Sequence, residues 1–246
     1  MSKELWISHH SAARWLDSGQ WSLYLRFLEE VLSDRLVKLD TNDPIRRKAD
    51  TLKSEGDFMV AFKAKEDSRW LFGSFERTKV QLEIRHFKTL GSWENSITVK
   101  FPGGMTAVAD ISRVRRAFDL GNQLMRPFYS LADLKEVICS RNPSTPSLDI
   151  SRELLGVFWL THFGPAYRRF FGEKLDGIPG LELDSKGGAT LQLGDAPAQV
   201  DNAKREEIMR RLGPASFANG GSPKERGQFA LTLNQLADSE RQAPGG

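Results

Sequence analysis

Ser92-Trp93-Glu94-Asn95-Ser96-Ile97-Thr98-Val99-Lys100-Phe101-Pro102 sets Ile97, Val99 and Phe101 against Ser96, Thr98 and Lys100. A period of two is the signature of a half-buried strand, and Pro102-Gly103-Gly104 closes it. Working upstream, Val80, Leu82, Ile84 and His86 alternate with Gln81, Glu83 and Arg85. Trp70 to Phe75 reads as a further strand, and Phe58, Val60 and Phe62 alternate with Met59, Ala61 and Lys63. Four strands joined by short polar links predict an antiparallel meander, because parallel neighbours need long crossovers. Glu83 and Arg85 are expected to face solvent beside the core residues Leu82 and Ile84.

Before this sheet, Trp15, Leu16, Leu23, Phe27, Leu28, Val31, Leu32 and Leu36 recur at three- and four-residue spacing. That stripe predicts an amphipathic helix from about Ser11 to Leu39, interrupted near Gly19 and covering one face of the sheet. After the sheet, Val114, Phe118 and Leu124 predict a helix over 111–124 ended by Pro127. Ser130 followed by Asp133 resembles a capped start of another helix carrying Leu131, Leu134, Val137 and Ile138.

Beyond the loop Asn142–Ser147, the second aromatic stretch, Gly156-Val-Phe-Trp-Leu-Thr-His-Phe163, lies in a nearly continuous apolar run from Leu154 that reads as a strand buried on both faces. Gly164-Pro165 opens a short helix through Phe171. Leu181–Asp184 and Ala189–Leu193 flank Gly187-Gly188 as a hairpin, and a helix follows over 203–212. Phe229, Leu231 and Leu233 suggest an edge strand or the start of a terminal helix. No repeat of fixed period occurs. The fold class is α+β: an antiparallel sheet flanked by an N-terminal amphipathic helix and further helices, with a C-terminal strand-hairpin-helix portion. Residues 1–240 are expected to form one domain, with an N-terminal portion 1–141, a C-terminal portion 148–240 and a disordered tail 241–246.

The composition is that of a globular chain. Of 246 residues, 39% are apolar and 27% charged, and 35 basic against 32 acidic residues leave a net charge of +3. So small a surplus gives no signature of nucleic-acid binding. The apolar run 154–163 is far shorter than the roughly 20 residues a membrane helix needs, and the N-terminal Leu-Trp-Ile is no secretory segment. A cytoplasmic location is expected, in keeping with the single cysteine, Cys139.

Reaction chemistry is hard to find. His9 and His10 are adjacent and read as a surface pair or a helix end, without the ligand spacing of a zinc site. His162 lacks a visible nucleophile, and Cys139 reads as a buried free thiol. Asp57, Asp67 and Glu83 faintly suggest the carboxylates of a metal-dependent nuclease, but Arg85 stands where a lysine is expected, and arginine gives up a proton too reluctantly to activate water. The glycine pairs match neither a phosphate loop nor a dinucleotide fingerprint. No cofactor or metal is expected.

Among the six tryptophans, Trp15, Trp21 and Trp159 belong to apolar stripes. Trp70 follows Arg69, and Trp93 precedes the alternating segment, so both suit the rim of a sheet, where aromatic side chains anchor interfaces.

Taken in order, these elements resemble an immunity-protein family of bacterial polymorphic-toxin (effector-immunity) systems, the α+β group paired with restriction-endonuclease-like toxins. Trp93–Pro102 is similar to that family's tryptophan-asparagine-led strand, and Val157-Phe-Trp-Leu-Thr-His-Phe163 to its Gly-Trp-Leu-Thr-Tyr strand, with Phe158 and His162 as departures. The resemblance implies a cytoplasmic protein without catalysis that binds and neutralises a cognate bacterial toxin, in settings such as type VI secretion. The expected contact residues are Trp70, Arg85, Trp93 and Glu94 on the sheet rim, with Glu29, Glu30 and Asp34 as an acidic patch on the exposed side of the first helix. The competing readings are the nuclease-like enzyme and an effector-loading adaptor.

Overall fold

The computed structural model describes residues 3–12, 20–40, 68–89, 92–103, 108–141, 154–218, 231 and 235–236, with the side chains of all but 20–22, 68–69, 86–89, 92–94 and 108–109. It is an α+β fold with antiparallel sheet and flanking helices, and it divides into two compact units, Met1–Arg126 and Pro127–Gly246.

Unit 1 contains β1 (Leu5–Ser11), α1 (Gln20–Leu32), β2 (Leu36–Asp40), β3 (Ser68–Phe75), β4 (Gln81–Thr89), β5 (Ser92–Phe101) and α2 (Val108–Met125). Its strands lie in the order β2-β3-β4-β5-β1, every neighbouring pair antiparallel. The β3-β4-β5 meander is the one its alternation predicts. Its other expected strand, over Phe58–Phe62, lies outside the described residues.

The N-terminal elements differ from expectation in two ways, and a turn accounts for the break in the helix. The single helix expected from Ser11 to Leu39 is instead α1 followed by β2, and it is preceded by a strand, β1. Ser33 adopts a left-handed backbone (φ 49°) directly after α1, where its amide donates to the carbonyl of Glu30 at 3.0 Å. That turn ends the helix three residues before Leu36, so the apolar spacing crosses a break that periodicity does not register.

One face of the sheet carries Leu5, Ile7, His9, Leu71, Leu82, Ile84, Ile97, Val99 and Phe101, all buried. Helix α2 lies on this side. A β-carbon on its Gly121 would overlap the His9 imidazole, so only glycine permits so close an approach. The His9 ring sits 5.6 Å from Phe118 and its Nδ1 lies 3.2 Å from Asn122 Oδ1. Helix α1 packs in turn against α2.

Unit 2 contains β6 (Tyr129–Leu134), α3 (Lys135–Arg141), β7 (Leu160–Phe163), α4 (Pro165–Phe171), β8 (Leu181–Leu183), β9 (Ala189–Gln192) and α5 (Asn202–Leu212). Its strands run β6-β7-β9-β8, again antiparallel. The Gly-Pro helix start, the hairpin and the last helix fall where expected. Ser130 begins no helix: residues 129–134 form β6, buried along nearly its whole length, and the helix starts only at Lys135. Asp133 is no cap partner. Its carboxylate, fully buried, accepts from Arg205 Nη1 of α5 at 2.5 Å, from the Trp159 amide at 2.8 Å and from the Leu134 amide at 2.7 Å. This charge-assisted knot ties α5, β6 and the segment before β7 together.

Candidate functional site

The opposite face of the unit 1 sheet is built from the alternate residues of β3, β4, β5 and β1. Register places Trp70, Arg85, Ser96 and His10 in one cross-strand row; Phe72, Glu83, Thr98 and Ser8 in the next; and Ser74, Gln81, Lys100 and Trp6 in the third. Side chains directly opposite across antiparallel strands touch, so this grid is a contact map as well as a list of positions.

Glu83 sits at its centre. Its carboxylate accepts from Arg85 Nε on one side and from Lys100 Nζ, at 2.7 Å, on the other. Each cation lies over an indole: Arg85 Cζ is 4.3 Å from the Trp70 ring centroid and Lys100 Nζ is 5.0 Å from that of Trp6. Trp70 also stacks on Phe72 at 5.9 Å. The result is a line running Trp70–Arg85–Glu83–Lys100–Trp6 across four strands. Cation–π contacts of this kind contribute on the order of 0.5–1 kcal/mol each at exposed sites, so their effect is chiefly to fix the rotamers of two long side chains.

The exposure is graded. The Glu83 side chain is 5% exposed, Lys100 28% and Arg85 42%, and Trp70 is, among the described residues, one of the few large apolar ones left open, at 41%. Glu83 is therefore a buried anchor and not the solvent-facing residue that alternation suggests. Burial pushes its carboxyl pKa up, but the Lys100 hydrogen bond and the Arg85 charge outweigh this and hold it below the ordinary value. A carboxylate so held is a poor proton acceptor; the face is suited to recognition.

Of the remaining expected residues, register places Glu94 on this same face, one row beyond Arg85 and Ser96, and Trp93 on the opposite one; the acidic residues of the N-terminal segment are dispersed. Trp93 and Glu94 lie within β5, opposite Lys88 and Phe87, and not in a loop before it. Asp34 is not on the first helix at all: it follows α1, is buried, and directs its carboxylate to the amides of Arg35, Arg77 and Thr78. Glu29, half-buried, accepts from the Leu36 amide at 2.8 Å, and Glu30 is exposed on α1. Asp57 and Asp67 lie outside the described residues. Among the described residues no three His, Cys, Asp or Glu side chains converge as a metal site would require, and no helix is long and apolar enough to cross a membrane.

The expected surface pair His9 and His10 is buried within β1, one ring on each face of the sheet. His162 is buried and hydrogen-bonded to Thr190 Oγ1 at 3.0 Å; Cys139 is exposed, contrary to the buried thiol expected. Trp6 and Lys100 are the residues sequence reasoning missed. Their alternation with Leu5, Ile7, Val99 and Phe101 is readable, but only the pairing of β1 with β5 brings them together.

No protein-family model matches this sequence, nor does any curated protein. Among solved structures, Pseudomonas aeruginosa T6SS protein PA0821 superposes with a TM-score of 0.57 at 12% identity, over 96% of this chain and 82% of that one. At that identity the likeness is one of fold. A chain from the complex of the toxic C-terminal tip of CdiA from Pseudomonas aeruginosa with immune protein gives a TM-score of 0.32 at 11% identity, over 55% of this chain and 88% of that one. Such a score establishes no common fold.

Proposed function

We propose that this chain is an immunity-type protein that binds a bacterial toxin stoichiometrically in the cytoplasm and neutralises it, the toxin being a nuclease. The observation that carries the reading is the open face of unit 1. It holds a preformed line of two aromatic–cation pairs around a buried carboxylate, the composition of an interface anchor. The family resemblance of Trp93–Pro102 and Val157–Phe163 supports the same reading, and the fold it shares with a T6SS protein is compatible with it.

The test is co-expression with the product of the adjacent reading frame. The proposal expects growth rescue, a stable equimolar complex on gel filtration and suppression of plasmid cleavage by the purified toxin. Binding without rescue would indicate an effector-loading adaptor instead. Neither binding nor rescue would sink the proposal.

A further inference from the structure

We infer that the open face of unit 1 selects a carboxylate-bearing segment of its partner, which docks end-on against the Arg85 guanidinium between Trp70 and Lys100. This rests on the reading of that face as the binding surface and adds the chemistry of what it binds.

The guanidinium is presented for such a ligand. Its Nε is committed to Glu83, and its Cζ lies over the Trp70 ring, 4.3 Å from the centroid. Among the described residues neither Nη1 nor Nη2 has an acceptor, which leaves the outer two-nitrogen edge open. That edge matches the two oxygens of a carboxylate, and the cation–π contact with Trp70 together with the bond to Glu83 orients it before a partner arrives. Lys100 keeps further N–H donors beyond the one given to Glu83, and the exposed indole of Trp70 offers apolar area beside the charge. A segment with Asp or Glu next to an apolar side chain fills all three.

The same geometry disfavours single-stranded nucleic acid, the other natural ligand of a sheet bearing cations and aromatics. Such ligands need open ring faces for bases to stack on and an uninterrupted positive track for phosphates. Here each indole has a cation over it, and Glu83 places a negative charge between the two cations. One carboxylate fits beside Arg85, whereas a run of phosphates must cross Glu83.

The experiment selects a random-peptide phage library on the intact wild-type chain and measures the recovered peptides against Arg85→Gln and Arg85→Lys. A fluorescent oligothymidylate is titrated in parallel. The expected result is enrichment of peptides carrying Asp or Glu beside an apolar residue. They should lose about 30-fold in affinity with Arg85→Gln and a smaller factor with Arg85→Lys, which keeps the charge but lacks the two-nitrogen edge. Thermal melting of both variants checks that they fold; if Arg85→Gln does not, Arg85→Lys carries the comparison. The inference is overturned by enrichment of basic peptides, by peptides indifferent to both substitutions, by the absence of any selected peptide, by Arg85-dependent oligothymidylate binding, or by Arg85-dependent self-association. Growth rescue that survives Arg85→Gln intact would also sink it and leave immunity standing. Failed rescue beside the expected peptide result would remove immunity and leave this chemistry in place.

Discussion

Replacing Asp34 by asparagine removes a negative charge from a point where four donors converge. Its carboxylate accepts from the Arg35 amide at 2.8 Å, the Arg77 amide at 3.0 Å, the Thr78 amide at 2.7 Å and the Thr78 hydroxyl at 2.7 Å, so the α1–β2 connection is tied to the β3–β4 turn. Burial raises its pKa, yet the hydrogen bonds from Thr78, Arg77 and Arg35 outweigh burial and bring it down to about 2. Against an ordinary aspartate near 3.9, the gap is worth about 2.5 kcal/mol of folding free energy at neutral pH. The folded-state pKa is depressed, so this contribution is fully present above roughly pH 4 and is lost as pH falls toward about 2. Because the chain has two units, one global unfolding energy is not well defined; urea titrations should be followed at the backbone resonances of Leu82 and Ile84, which report unit 1. Asp34→Asn is expected to be less stable than wild type by about 2.5 kcal/mol at pH 7, with the difference closing toward zero at about pH 2. An unchanged difference across that range would refute the electrostatic account, and no difference at pH 7 would refute the structural one.

Gly121→Ala should destabilise unit 1 by about 1–3 kcal/mol, because the added methyl meets the His9 ring, and His9→Ala in the same chain should restore most of the loss; urea unfolding of the single and double variants measures the coupling. Arg205→Ala leaves the buried Asp133 carboxylate without its cation and should cost unit 2 about 3–5 kcal/mol, read as lost amide-exchange protection in β7 while β4 keeps its own; equal losses in both would contradict the assignment.

Legibility in the sequence follows from how each segment is buried. Strands β4 and β5 keep one apolar and one polar face, so a period of two exposes them. In β1 the buried face is Leu5, Ile7 and His9, and a histidine in the third core position hides the alternation. Strand β6 is buried on both sides from Tyr129 to Asp133, which removes the alternation altogether and leaves a run whose spacing passes for a helix. Only part of the candidate site could be read. Trp70 and Arg85 were visible as an aromatic and a cation on neighbouring strands. The role of Glu83 is not visible, because alternation puts it on the polar face and only the fold shows its side chain 5% exposed between Arg85 and Lys100. Trp6 enters only through the register of β1 against β5, a pairing between segments some ninety residues apart.

The disposition of charge also bears on how neutralisation would work. An inhibitor that plugs the basic groove of a nuclease is best served by an acidic surface. This chain carries a net charge of +3, and the acidic residues expected to form such a patch are largely engaged at home: Asp34 holds the β3–β4 turn and Glu29 holds the start of β2. On the open face Arg85 and Lys100 flank the Glu83 carboxylate, and register adds Glu94 one row beyond Ser96 and Lys38 and Asp40 on the neighbouring strand β2. It is the open edge of Arg85, and not a net charge of the face, that directs this surface to a carboxylate of its partner. Under the proposed reading, inhibition through such a contact would act on the toxin's conformation or assembly and not by occluding the groove. The consequence is measurable in order of addition: nucleic acid bound first should leave the association rate with this chain unchanged, whereas direct competition for the groove would slow it in proportion to occupancy.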